Sequence, residues 1–154
     1  MLKIIIIAAM ALGVSVATTA AQDSADQALA GLPKGCRDAI PAMPMGGPMK
    51  EMMQGKGMAG MTGMMGMMDD AQKASMQAMM KMHRPMMAAH MIKDPDLAFN
   101  CGMIVHHQGA IDMAKVELQY GKDQATKDLA QSIISAQEKE IADMTRWVEA
   151  HQPK

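Results

Sequence analysis

The sequence predicts an all-α protein, an antiparallel bundle of three to four helices that follows a Met/Gly-rich flexible loop. From residue 69 onward, long runs of helix-forming residues are interrupted at only two places, and each interruption carries helix-stop and helix-start signals. No stretch after residue 21 shows the period-2 alternation of a strand. The links between the helical runs are short, which favours antiparallel packing.

Residues 1–21 have the parts of a secretory signal peptide. Lys3 supplies a positive charge, residues 4–16 are largely apolar, and small residues at 18–21 offer a cleavage site. An uncleaved anchor is the alternative, but the apolar run is short and no later segment could span a bilayer. We therefore expect a periplasmic or secreted protein with no membrane span after signal cleavage.

Two segments precede the helical domain, which we place at residues 69–152. Residues 22–42 form a mature N-terminal segment with one or two helical turns before Gly31 and Pro33. Residues 43–68 combine methionine with glycine at a density that opposes helix, so we expect a long flexible loop. A low-complexity segment without function is the alternative for that loop.

Three helices are expected in the domain. The first begins at Asp69–Asp70 and runs to about Ile92, with a kink or a break at Pro85. The second runs from about Pro95 to Tyr120 and stops at Gly121. The third begins near Asp123 and continues to about Ala150, ahead of a proline.

Methionine is concentrated in one part of the chain, with 18 of the 23 methionines between residues 43 and 91. Thioether sulfur is soft and uncharged, so it selects Cu(I) over Mg²⁺ and Ca²⁺. On the first helix, a stripe at helical spacing is predicted to bind metal and to help close the bundle, and it consists of Met76, Met80, His83, Met87 and His90.

The second helix carries the sharpest group of candidate ligands. His106 and His107 share one helical arc with Met103, and Met113 lies at its edge. Two imidazoles beside thioether sulfur favour a copper site between helices. In the alternative, one histidine packs in the core and hydrogen-bonds a backbone carbonyl while the other faces solvent.

The third helix places polar residues where an apolar stripe is expected. Gln137 and Glu140 lie beside Met144 on the predicted inner face. A buried carboxylate needs a partner, and an imidazole N–H from His106 or His107 would supply one and orient a metal-binding histidine. In the alternative, Glu140 lies at the edge of the bundle and meets water.

The two cysteines leave two possibilities open. In an oxidising compartment Cys36 and Cys101 favour a disulfide, which would stabilise the fold by about 4 kcal/mol in the chain-entropy model. The alternative is a thiolate ligand for Cu(I).

Charge and composition argue against several classes of function. A formal net charge of −1 offers no basic stripe for nucleic acid. None of the five glutamates lies three residues before a histidine, as carboxylate-bridged di-iron bundles require, and no Gly-x-Ser-x-Gly motif occurs. We therefore expect no enzymatic activity.

The helical region resembles a known family. His106-His107-Gln-Gly-Ala-Ile-Asp-Met113-Ala, followed by Gln137, Glu140-Ile and Met144-x-x-Trp, is similar to the small exported bacterial family typified by the copper-binding protein CopM, long described only as a domain of unknown function. The resemblance covers about residues 70–150. It implies a ferritin-like four-helix fold and Cu(I) or Ag(I) binding in the cell envelope. It also implies ligand roles for five residues, His106, His107, Met103, Met113 and Met144.

Together these observations predict a periplasmic copper-binding protein that binds several Cu(I) ions, sequesters or ferries them, and contributes to copper tolerance. Ag(I) should bind as a mimic, and another copper-handling envelope protein is an expected partner for delivery. Sites with histidine should weaken below pH of about 6.5, because a protonated imidazole cannot bind metal. The alternative is an exported Met-rich interaction or oxidant-buffering protein without a specific metal site.

Overall fold

The computed structural model describes residues 27, 29–41 and 66–151, and these form four α-helices. They are α1 (Lys34–Ala39), α2 (Asp70–Ala89), α3 (Pro95–Tyr120) and α4 (Gln124–Ala150). This part of the chain contains no strand, so the all-α prediction is confirmed. None of its helices has the length and apolar character needed to cross a membrane. The predicted signal peptide and nearly all of the Met/Gly-rich loop lie outside the described residues.

The N-termini of the three long helices are fixed by aspartate caps. At α2, Asp69 and Gln72 form a reciprocal capping box with N···O distances of 2.8 and 2.9 Å. At α3, Asp94 accepts a 2.8 Å hydrogen bond from the backbone N–H of Leu97. At α4, Asp123 accepts from the backbone N–H and the hydroxyl of Thr126. These two hydrogen bonds to Thr126 lower the pKa of Asp123.

The end of α3 depends on a glycine, but not because of a left-handed backbone. Gly121 has φ −62° and ψ 155°, values that any residue can adopt. A Cβ at this position would instead lie 2.6 Å from the backbone oxygen of Glu117. The predicted stop at Gly121 is confirmed. The close approach of the Glu117 carbonyl explains why a glycine stands at this position.

Pro85 neither ends α2 nor divides it. The helix is continuous from Asp70 to Ala89, and Pro85 is buried within it. Of the two outcomes expected at Pro85, a kink or a break, the break does not occur.

α3 is the central helix of the described structure. It packs along both α2 and α4, while the short α1 contacts α3 and α4. The contacts run antiparallel, since Met82 lies against Gly109 and Met86, one turn later, approaches Gly102. One cluster of buried residues joins all four helices at one end of the bundle, and the second joins α3 to α4 alone, through Ile111, Ala114, Ala130 and Ile134.

The face of α2 that meets α3 differs from the predicted stripe. Met82 and Met86 pack toward α3, and Ala78, Pro85 and Ala89 are buried with them. The predicted stripe is half-buried at Met76 and exposed at its other four positions, Met80, His83, Met87 and His90. Within the run Met76–Met91, Met82 and Met86 help to close the bundle, because the glycines of α3 accept this pair, whereas four of the five stripe positions are exposed.

A disulfide between Cys36 and Cys101 ties α1 to α3. Their Cα atoms are 5.7 Å apart, and both residues are fully buried in the cluster shared by the four helices. Of the two possibilities left open by the sequence, the structure has the disulfide. Neither cysteine is free to bind metal as a thiolate.

Removal of the disulfide should destabilise the fold. For Cys36→Ala/Cys101→Ala we expect a loss of about 4 kcal/mol in the free energy of unfolding, because a long loop closed in the unfolded chain is released. Urea unfolding followed by circular dichroism measures the change. Wild-type protein unfolded with reductant is the matched control and should show a similar loss. An unchanged urea midpoint in both cases would contradict a stabilising role.

The methionine–glycine contact between α2 and α3 should tolerate no added methyl group. In Gly109→Ala the new Cβ would lie 2.4 Å from Met82 Sδ and 3.2 Å from Met82 Cβ, so we expect about 1–3 kcal/mol of destabilisation. Gly102→Ala is the matched control, since its Cβ would meet only Met86 Sδ at 4.0 Å. That variant should be neutral or more stable, because alanine favours helix. Equal effects of the two substitutions on thermal unfolding would rule out the close contact.

Candidate metal centre

His107 is the one polar residue that the described core buries. It lies on α3 with 6% of its surface exposed, and its Nε2 lies 2.6 Å from Glu140 Oε2 of α4. Because a carboxylate accepts hydrogen bonds, Nε2 carries the proton and donates it to Glu140. The Glu140 side chain is 56% exposed, so the pair sits at the edge of the α3–α4 interface. Glu140 therefore has the predicted imidazole partner and also the edge position of the alternative.

Within the residues that the structure describes, the other ring nitrogen of His107 has no hydrogen-bond partner. Nδ1 is buried, and so is Oε1 of Gln137, which also lacks a partner and lies one turn before Glu140 on α4. In a neutral imidazole that donates through Nε2, Nδ1 holds a lone pair. A histidine with one nitrogen fixed by a carboxylate and the other free has the form in which proteins use it to bind metals.

Two methionines flank this pair along the same interface. Met103 lies four residues before His107 on α3, and Met144 lies four residues after Glu140 on α4. Since the two helices run antiparallel, both methionines lie one turn from the His107–Glu140 pair in the same direction. Each is half-buried, and Met144 packs against the core cluster shared by the four helices. We call Met103, His107, Glu140 and Met144 the seam.

His106 and Met113 lie apart from the seam. The rings of His106 and His107 have centroids 5.9 Å apart and planes 64° apart, and His106 is exposed while His107 is buried. Met113 is also exposed, at 45%. The burial of the two histidines follows the alternative in which one packs and the other faces solvent, but the partner of His107 is the Glu140 carboxylate and not a backbone carbonyl.

The candidate ligands on α2 are those of the predicted stripe, and they form a row that is exposed at four of its five positions. Successive members are separated by four and three residues, so each lies close to the next along the helix. Within the residues that the structure describes, no three His, Cys, Asp or Glu side chains form a metal-binding group. A site on this row would therefore use thioether sulfur together with His83 or His90.

Sequence reasoning missed one feature near these helices, a groove of about 570 Å³. Its apolar lining includes Leu32, Pro85 and Ile104, and Lys81 and Asp112 lie at polar positions along it. The groove depends on how Gln27, Gly31 and Leu32 approach α2 and α3. No local pattern in the sequence could reveal that approach.

The family model described as a domain of unknown function (DUF305) matches residues 11–148. The match covers most of the chain, and the chain belongs to this family. No curated protein matches it. This family is described only by its unknown function, so the match assigns no activity to the chain.

Loss of the seam carboxylate should destabilise the α3–α4 interface. In Glu140→Ala the buried Nε2–H of His107 loses its acceptor, and we expect about 1–2 kcal/mol lower stability in urea unfolding. Glu138→Ala is the matched control, because Glu138 is exposed two residues away on the same helix. That change should stay within about 0.5 kcal/mol. If the two variants had the same stability, the 2.6 Å contact would carry no net energy.

Proposed function

We propose that the chain is an exported copper-binding protein that sequesters or ferries Cu(I) in the periplasm and contributes to copper tolerance. The observation that supports this proposal best is the buried, unpartnered Nδ1 of His107, held in place through Nε2 by Glu140. Leaving a buried nitrogen without a partner costs free energy, and coordination of a metal ion would recover it.

The chemistry of the seam favours a soft ion. Met103 and Met144 offer neutral thioether sulfur, and His107 offers an imidazole nitrogen, a donor set that suits Cu(I) and its mimic Ag(I). Glu140 would act as an orienting group that fixes the tautomer and the direction of the ring. The free Oε1 of Gln137 is a hard donor, so it is not expected to bind Cu(I).

A second, weaker class of sites is proposed on the solvent side of α2. Neighbouring members of the stripe, such as Met80 with His83 and His83 with Met87, lie three or four residues apart and are exposed. Two adjacent ligands on one helix hold an ion less firmly than a site between two helices. Exposure lets such ions exchange, so the stripe would capture Cu(I) and the seam would retain it. His106 and Met113 belong to the capture class.

The finer description of the fold is part of the same proposal. The antiparallel packing of α2, α3 and α4 fits three helices of a ferritin-like bundle. The short α1 contacts α3 and α4, and in this proposal it corresponds to part of the fourth helix. Export by residues 1–21 and collection of Cu(I) by the Met/Gly-rich loop at 43–68 also belong to this proposal, and they rest on the sequence.

A second candidate function is oxidant buffering or protein interaction by exposed methionines. It is favoured by Met79, Met80 and Met87, which are 55%, 39% and 48% exposed. Thioethers at such positions are oxidised to sulfoxides by peroxide-type oxidants, which are reduced in turn. This candidate gives no role to the His107–Glu140 pair.

The test is titration of the mature chain with Ag(I), a redox-inert mimic of Cu(I), followed by native mass spectrometry. Wild type should retain one ion more tightly than the rest. For His107→Leu, and for Met103→Leu/Met144→Leu, we expect at least a ten-fold weaker affinity for that ion with the weaker ions kept, because a ligand is lost. Met76→Leu/Met80→Leu/Met87→Leu should instead lose weaker ions and keep the tight one.

Met79→Leu/Met91→Leu is the matched control, since both methionines are exposed and lie outside the seam, the stripe and the Met/Gly-rich loop. It should leave the tight ion unchanged. Circular dichroism of each variant checks that the helices are intact. Absence of any retained Ag(I) on wild type, or an equal effect of the control, would overturn the copper proposal and leave the second candidate.

A further inference from the structure

One side of α3 remains open in the part of the chain that the structure describes. Gly102 and Gly109 approach the methionines of α2. Ile111 and Ala114 pack against α4, and Cys101 is bonded to α1. The residues along the fourth side are Phe99, Met103, His106, Ala110, Met113, Glu117 and Tyr120. We call these seven residues the outer row of α3, and none of them is buried.

The outer row is spaced like the contact line of a helix pair. Its members are alternately four and three residues apart, so they form one line along the helix that repeats every seven residues. Phe99, Met113 and Tyr120 are 64%, 45% and 36% exposed. A helix surface that faces water normally carries charged and polar residues. The spacing and the exposure are therefore typical of a helix that packs against a further helix.

The composition of the outer row favours a protein partner. It contains two methionines and, in Phe99 and Tyr120, two of the three aromatic residues of the chain. Glu117 is its only charged residue, and the Glu117 carboxylate lies beside Gly121, at the end of the row. The centres of protein interfaces are enriched in aromatic residues and methionine and depleted of charge. Because the row contains no lysine or arginine, it has nothing to bind an anionic surface.

We propose that the outer rows of two copies of the chain pack antiparallel across a two-fold axis near Ala110. The axis lays Phe99 opposite Tyr120 of the second copy and His106 opposite Met113 of the second copy, since both pairs are centred between residues 109 and 110. Each aromatic residue then meets the other aromatic residue. The row is in this sense complementary to itself.

Charge selects the antiparallel orientation. In this pairing Glu117 lies level with Met103 of the second copy, so it meets no like charge. A parallel pairing would lay Glu117 opposite Glu117 of the second copy, and like charges that face each other across an interface are costly.

The open face is large enough for a stable dimer. Among the described helices, α2 and α4 scarcely contact each other, so α3 is the middle helix of a layer and the outer row lies at its centre. The row extends about 30 Å along α3, and the adjoining halves of α2 and α4 widen the face to roughly 600–800 Å² per copy. A standard protein interface buries about 800 Å² on each partner.

The test is sedimentation velocity of the full mature chain at about 1–100 µM, with a copper chelator present because the proposal does not depend on metal. Wild type should form a dimer. Met113→Gln should weaken the dimer about ten-fold, because an apolar side chain near its centre is no longer buried. Met80→Gln is the matched control, since Met80 is 39% exposed but lines the groove with Gln108, on the other side of α3. It should leave the dimer unchanged.

Disulfide cross-linking tests the orientation. An equal mixture of Phe99→Cys chains and Tyr120→Cys chains should form a cross-linked mixed dimer in mild oxidant, whereas Phe99→Cys chains alone should not cross-link. Circular dichroism checks that each variant keeps its helices. A monomeric wild type, equal losses in Met113→Gln and Met80→Gln, or cross-linking of Phe99→Cys chains to each other would overturn the proposal. Because the chelator removes metal throughout, none of these outcomes bears on Ag(I) retention at the seam.

Discussion

Every other described helix packs against α3, and this constraint shapes the rest of the structure. Glycines of α3 contact the methionines of α2, its Cys101 is bonded to Cys36 of α1, and its apolar residues pack against α4. A helix surrounded in this way is apolar on most of its sides. His107 stands out against that background, because it is a titratable side chain placed among Ile, Val and Ala with one nitrogen satisfied and the other not. The same central position that builds the core therefore also isolates the candidate metal ligand.

The helix ends could be predicted from the sequence, whereas the helix faces could not. Caps at Asp69, Asp94 and Asp123 involve residues three apart, so the chemistry is local and the pattern is sufficient. The faces of α2 depend on its neighbour, since methionines occupy both the side that packs and the side that does not. The spacing of the methionines alone cannot show whether Met82 and Met86 or Met80 and Met87 face α3. On α4, Leu129 is 59% exposed while Ile134 and Val148 are buried, a difference that depends on how α4 is rotated against α3.

The candidate site was predictable in its residue types and only partly in its geometry. A histidine pair, a carboxylate and flanking methionines were visible in the sequence, but which imidazole meets Glu140 depends on the rotation of α3 against α4. The state of the cysteines likewise depends on a Cα separation that no spacing in the sequence fixes. Methionine itself proved to have two roles. Met82 and Met86 adapt their flexible side chains to the glycines of α3, and the exposed methionines keep their sulfur accessible.

The disulfide has a topological consequence that extends beyond stability. Because Cys36 precedes the methionine-rich run and Cys101 follows it, residues 37–100 are closed into a covalent ring that contains every methionine from Met43 to Met91. A protease that cuts once anywhere in that ring leaves both fragments attached. The disulfide thus keeps the methionines of the ring and the buried His107 in one molecule even after the backbone between them is cut.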